Sequence, residues 1–350
     1  MVLITILGIG VGYSALNTDL SISGNADFVV TYDIAKNKIL NDNGGQSYIE
    51  SKGQPNFTEN ATTDEGMYAA NDNDGTSYYY RGAVENNWLY FAGYYWRIIR
   101  VNGNGSIRLL YQGTDTSEVK EKTIIALNMF NSNNDDNAYV GYMYGTPNST
   151  TYEETHANIH DSIVKQEVDK WYEENLIKFS EYLDIDSGFC GDRSTSTVLT
   201  SMNGLGGYGK TLTYYGEYIR NYQTRQPTLI CQNKNDYYTV KESVNGNKAL
   251  TYPIALITSD EVNLAGSNGQ LGVVNDQFYL YSGQPYWTMS PYWYNGYGQI
   301  GSHEFYLYWN GLFGYGITTA QNGIRPVINL KANTMLSGNG TKTNPYKIVD

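Results

Sequence analysis

"NNWLYFAGYYWRIIRVNGNGSIRLLYQGT", residues 86–114, reads as two β-rich runs around a tight turn. Asn102-Gly103-Asn104-Gly105 supplies the residue types that tolerate the positive φ such a turn demands. This is the strongest hairpin signal in the chain, and it sets the expectation of a mostly antiparallel sheet.

Upstream, the main domain is expected to begin near "GTSYYYRG", at residue 75. Residues 17–74 read as a stalk or edge-strand segment, with one strand at "DFVVTYDI" and a turn-rich tract at 40–60. Downstream, "HDSIVKQEVDKWYEENLIKF" carries Val164, Val168, Trp171 and Tyr172 at helical spacing, with Asp161 or Ser162 as N-cap. A second helix is expected at "TSDEVNLAG", capped by Ser259 or Asp260. Short strands follow at "YPIALIT", "QFYLY", "EFYLYWN", "IRPVINL" and "YKIVD". Few helices among many short strands and long loops make the fold class α+β.

Composition narrows the function. The chain has 350 residues, 35 Tyr and 37 Gly against only 9 Phe, and a net charge of −12 without a basic run. Nucleic acid is therefore not an expected partner, because phosphate binding needs clustered Lys and Arg. Tyr joins a large apolar face to a polar tip, which suits surfaces that contact a partner. The apolar run at residues 1–16 reads as the back half of a signal or a membrane anchor. It contains Gly10, Gly12 and Ala15 in a dinucleotide-like pattern, but the Ser/Asn/Gly-rich tract after it lacks the period of a crossover helix.

No enzyme motif stands out, and no cofactor is expected. His156 and His160 stand four apart, without the glutamate of a zinc-protease helix, and read as a solvated helix start. "NDNDG" at 71–75 fails the calcium-loop register, because Ala70 and Arg81 fall where carboxylates belong; an Asx turn is expected instead. No metal site is assigned. Cys190 and Cys231 are too far apart in sequence for a metal site and fit one structural disulfide better, with two buried free thiols as the alternative. A disulfide implies an extracytoplasmic location, at the cell surface or secreted.

The aromatic stretch 286–316 raises the functional question. In "EFYLYWN", alternation puts Phe305, Leu307 and Trp309 on a core face and Tyr306, Tyr308 and Asn310 on a displayed one. The candidate ligand-binding residues are Tyr292, Trp293, Tyr294, Asn295, Tyr297, His303, Tyr306, Tyr308, Asn310, Phe313 and Tyr315.

The order "YYWRIIRVNGNGSIRLLYQGT", "GFCGDR", "YPIALITSDEV", "YWTMSP" and "NGIRPVINL" resembles a group of exported proteins from gut Firmicutes and related bacteria. "WTMSP" (287–291) and "GIRPVINL" (323–330) are also similar to the end of the formylglycine-generating-enzyme-like branch of C-type lectin folds. That resemblance implies a C-type-lectin-like domain over 75–350 whose binding face lies between those strands. In some members that face is the variable target of a diversity-generating retroelement. Neither cysteine lies in the bracket, so formylglycine-type oxidase activity is not implied, and the sugar-binding triplets of calcium-dependent lectins are absent.

The reading that follows is a surface-displayed, non-enzymatic receptor or adhesin for a protein or other cell-surface ligand, tethered by residues 1–16 if these form an anchor. The alternative is a structural subunit of a cell-surface or pilus-like assembly. Thiol titration of the unfolded, unreduced chain is expected to find no reactive cysteine; two reactive thiols would remove the disulfide and the location argued from it.

Overall fold

The computed structural model describes residues 19–23, 27–31, 33–116, 120–196, 206–296 and 300–349. The class is mixed α+β, mostly strands in sheets with few helices. A nine-stranded sheet is built on the hairpin of Tyr94–Val101 and Ile107–Gly113. Val101 faces Ile107 across the turn, and Gly105 takes the positive φ of +85° that the turn requires. Val327–Leu330 and then Ile254–Ala255 extend this sheet on one side; Trp88–Phe91, Tyr346–Ile348 and Leu336–Ser337 extend it on the other.

The second, six-stranded sheet carries the aromatic stretch. Its order runs Phe313–Ile317, Gly301–Leu307, Tyr286–Asn295, Gln321–Ile324, Ala126–Met129, with Thr213–Tyr214 also paired to Tyr286–Asn295. Pro291 brings no N–H to a ladder, and the register slips on both sides of it. Within that bulge the Met289 amide leaves its neighbour strand and donates to Ile257 O at 2.9 Å. The helix Ile163–Asn175 packs against Ile254–Ala255 of one sheet and Ala126–Met129 of the other. Ser162 is its N-cap, accepting from Lys165 N at 3.1 Å.

Several sequence expectations are corrected. Residues 33–74 are no stalk: Ala35, Ile39, Leu40 and Ile49 lie in the same core as the large sheet, and Asp64–Asp72 pairs with Gly75–Gly82. The boundary at residue 75 falls inside that hairpin. The tract "QFYLY" forms no strand. The second helix, Ser259–Ala265, is capped one residue earlier than expected, by Thr258, in a capping box with Glu261. "NDNDG" is an Asx turn, Asp74 N donating to Asp72 Oδ1 at 2.8 Å. The segment 1–16 lies outside the described residues, and among the described residues no helix is long and apolar enough to cross a membrane.

Glu261 ties these parts together. Its carboxylate accepts from Thr258 N, and it lies 3.1 Å from Arg100 Nε and 2.5 Å from Arg108 Nε, on the two hairpin strands. Arg100 also reaches Asp72 at 2.8 Å, which brings the first hairpin into the network. Burial alone would raise the Glu261 pKa, but the two guanidiniums outweigh it and hold the carboxyl below its ordinary value. Glu261→Ala leaves Arg108 buried without a carboxylate, so urea unfolding should show a loss of about 3–5 kcal/mol. Glu261→Gln, which retains a cap acceptor, should lose less. A loss under about 1 kcal/mol for the Ala variant would remove Glu261 as the tie.

Candidate functional site

The aromatic stretch divides between core and pocket. Tyr292 is buried, stacked on Tyr315 at 4.1 Å and 6° and set edge-on to Phe305 at 4.9 Å. Tyr294 is also buried, its hydroxyl donating to Asp135 O at 3.1 Å. Phe313 stacks on Phe305 at 5.1 Å inside the core. These three do not form a displayed face. The expectation for them fails because Thr213–Tyr214 and Gly301–Leu307 flank the strand, and Tyr214 and Tyr218 cover its aromatics.

Phe305 and Leu307 are buried as expected, but Trp309 is 60% exposed. The strand ends at Leu307, and a turn closed by Tyr308 N donating to Leu312 O at 2.8 Å breaks the alternation before Trp309. Asn310 is spent on that turn, its Oδ1 accepting from Leu312 N at 3.1 Å. Trp293 and Asn295 are half-buried at the far end of their strand. Tyr297 lies outside the described residues.

Four of the expected residues do come together, although His303 and Tyr306 are buried in the pocket wall rather than displayed, because Phe313–Ile317 pairs along their strand. His303, Tyr306, Tyr308 and Tyr315 line an open pocket of about 610 Å³, with Leu271 and Leu312 completing its walls. Two glycines shape it. A Cβ on Gly316 would stand 2.9 Å from the Tyr306 ring, and one on Gly314 would stand 2.7 Å from the Tyr308 ring. The alternation of "FGYGI" thus lets two tyrosine rings lie across the neighbouring edge strand, Tyr306 and Tyr308 tilted together at 4.2 Å. Burial raises the Tyr306 and Tyr315 pKa values, so both hydroxyls stay protonated at neutral pH.

His303 Nδ1 lies 2.9 Å from Gly301 O, which can only accept. The proton therefore sits on Nδ1, and burial keeps the ring neutral. The site offers aromatic faces, hydroxyls and one neutral imidazole. Leu271 and Leu312 had no signal in the sequence, since their loops reach the pocket only through the tertiary fold.

His156 is not solvated. It is fully buried between Tyr152 at 4.6 Å and Tyr215 at 6.0 Å, and burial, with Arg193 adding to it, pushes its pKa well down. His160 is exposed on a short strand. Cys190 and Cys231 are joined by a disulfide. Among the described residues no cluster of three His, Cys, Asp or Glu side chains could hold a metal ion. Comparison with protein-family models, curated proteins and solved structures finds no match.

Behind the pocket, Glu304 is fully buried and neither carboxyl oxygen has a hydrogen-bond partner among the described residues. Burial pushes its pKa well up, with the carboxyl of buried Glu217 adding to the shift and Arg193 opposing it. A carboxyl whose folded pKa is raised contributes its full stability below its unfolded value, near 4.5, and loses it as pH rises through the folded pKa. Wild-type stability should therefore fall relative to Glu304→Gln above pH 4.5, by up to about 1.4 kcal/mol per pH unit. Urea titrations at pH 4, 6 and 8 measure this; parallel curves would mean that Glu304 is not held protonated.

Proposed function

We propose that this chain is a surface-displayed, non-enzymatic binding protein with a C-type-lectin-like domain. Its ligand, a protein or other macromolecule, inserts a side chain or ring between Tyr306, Tyr308 and Tyr315. The observation that carries this reading is the pocket itself, where rings are held rigidly by glycines and core aromatics yet remain open on one side. Rigid aromatic anchors give contact area at low conformational cost, and such residues dominate binding energy. The disulfide is compatible with the extracytoplasmic location this role needs.

Diversification of the segment between "WTMSP" and "GIRPVINL" is part of the proposal, in a narrower form than composition suggests. Tyr292, Tyr294, Phe305, Leu307 and Phe313 are core, and varying them would open cavities. Tyr308, Trp309, Asn310 and Tyr315 can vary at lower cost, because each keeps some exposure.

A second reading rests on Phe313–Ile317, which ends its sheet. An edge strand is where a neighbouring subunit can add a strand, so a structural subunit of a surface assembly is the alternative. Concentration-dependent self-association that survives Tyr308→Ser and Tyr315→Ser would favour it.

For the leading reading, the purified chain should bind saturably to members of a protein and glycan array. Tyr308→Ser and Tyr315→Ser should each weaken that binding at least about tenfold, or 1.4 kcal/mol, with Tyr308→Ser costing about 1 kcal/mol of stability or less and Tyr315→Ser, which also loses its stack on Tyr292, about 2 kcal/mol. Tyr306 packs on Trp287 at 5.6 Å and is 8% exposed, so Tyr306→Ser should cost about 3 kcal/mol, close to Leu307→Ala. Undiminished binding by both the Tyr308 and Tyr315 variants would place the ligand elsewhere.

A further inference from the structure

Six arginines are buried among the described residues, and four of them meet a carboxylate. Arg81 pairs with Glu65, Arg100 with Asp72 and Glu261, Arg108 with Glu261, and Arg193 with Asp236. Arg97 and Arg325 have no carboxylate within 4 Å among the described residues, although the chain carries twelve more acidic than basic charges. These two are also neighbours in space, the Arg325 charge helping to lower the Arg97 pKa.

Both converge on one pocket, distant in sequence from the tyrosine site. It measures about 500 Å³ and is walled by Trp88, Arg97, Gln112, Tyr279, Tyr281 and Ser282. Arg97 Nε donates to Asn87 Oδ1 at 2.7 Å and Nη2 to Val84 O at 2.8 Å, while Nη1 has no hydrogen-bond partner among the described residues. Asn87 is itself fixed, donating to Ile98 O at 2.9 Å, and the guanidinium lies 4.4 Å from the Trp88 ring centre. The cation is thus held on three sides with the two N–H bonds of Nη1 left over.

Arg325 reaches the same pocket through an intermediary. It donates to Tyr111 O, Leu280 O and, at 2.8 Å, Gln112 Oε1. That bond sets the Gln112 amide so that its Nε2 donors face away from Arg325, and no protein acceptor takes them among the described residues. Exposed Glu85 and Asp276 also line the pocket. Their charges are screened by water, whereas the guanidinium in the wall is buried and its field is not. Burial, with the Arg325 charge adding to it and Tyr279, Tyr80 and Glu85 opposing it, pulls the Arg97 pKa down to about 9, so it remains a cation at neutral pH.

We propose that this pocket is a second ligand site, for a small organic carboxylate, which accepts from Arg97 Nη1 and Gln112 Nε2 while Arg325 positions Gln112. One free nitrogen on Arg97 beside one amide nitrogen, each able to donate to a different oxygen, matches the two oxygens of a single carboxylate. Nη1 alone cannot make the bidentate fork with which Arg grips phosphate. Breaking the rule that buried charges are paired is unexplained by stability, since a hydrophobic residue of similar size would cost less at both positions.

The test is calorimetric titration of the intact chain with benzoate, glucuronate and acetate, each against its neutral counterpart benzamide, glucose or acetamide, and with inorganic sulfate. At least one carboxylate should bind saturably and at least tenfold more tightly than its neutral counterpart and than sulfate. Gln112→Leu should weaken that carboxylate at least tenfold while the Tyr308→Ser variant, in the other pocket, binds it as wild type does. Arg97→Met should abolish binding; if it fails to fold, Gln112→Leu alone decides. No saturable carboxylate binding, equal binding of the neutral counterparts or of sulfate, or an unaffected Gln112→Leu variant would each overturn the proposal. None of these outcomes bears on the tyrosine pocket, whose variants are read separately.

Discussion

The buried carboxylate of Glu261 is the interaction on which the rest of the structure depends. Its position follows from a helix-capping rule, since a Glu three residues after a Thr N-cap folds back to the cap's amide. The same carboxylate then faces Arg100 and Arg108, which stand on adjacent strands because the Asn102–Gly105 turn pairs them. A local helix start and a local hairpin are thereby locked to each other by charges that water cannot screen. Immediately before the helix, Ile257 O takes the Met289 amide, and Ser259 N donates to Ser290 Oγ at 2.8 Å. The bulged aromatic strand of the second sheet is therefore hung from the segment that Glu261 anchors to the first.

That arrangement explains why an unusually tyrosine-rich segment can be both core and surface. The bulge at Pro291 and the glycines at 314 and 316 give the sheet room for rings that lie along it rather than stand off it. Tyr292 is enclosed by Tyr315, Phe305, Trp293 and Tyr218, an arrangement of stacked and edge-on contacts that aromatic quadrupoles favour. The pocket tyrosines inherit their rigidity from this packing. Tyr315 cannot swing without losing its stack on Tyr292, and Tyr306 is wedged between Trp287 and the backbone of Gly316.

The elements written in local chemistry were legible in the sequence. The hairpin at 94–113, the helix after Ser162 and the Asx turn at Asp72 each follow from a few adjacent residues. The disulfide was legible from cysteine count and spacing. What was not legible depends on partners far along the chain. Two-residue alternation assigned Trp309 to the core because it was carried through the local Asn310-Gly311 turn signal, where Gly311 takes a φ of +81° and the strand has already ended at Leu307. Tyr292 and Tyr294 were read as displayed because what closes over them comes from far along the chain, Tyr218 against Tyr292, and the paired Thr213 with the Asp135 carbonyl at Tyr294. His156 was read as solvated from its charged neighbours, yet Tyr215 closes over it.

The buried charges point the same way, by their mismatches. A chain with surplus acid has enough carboxylates to neutralise every buried guanidinium, and it does so at Arg81, Arg100, Arg108 and Arg193. It leaves Arg97 without one in the first sheet, and it leaves Glu304 without a cation in the second. The two cannot compensate each other, because each is fixed on its own sheet with aromatic side chains packed around it: Trp88 and Tyr279 about Arg97, Tyr215 and Tyr238 near Glu304. Glu304 resolves its burial by taking a proton, a course open to a carboxyl and closed to a guanidinium. Arg97 must remain charged, and its Nη1 opens onto a pocket where, as proposed, an anion from outside meets it. Arg325 shares the lack of a carboxylate but spends its donors on Tyr111 O, Leu280 O and Gln112, so of the two it is Arg97 that faces a pocket with an uncommitted nitrogen.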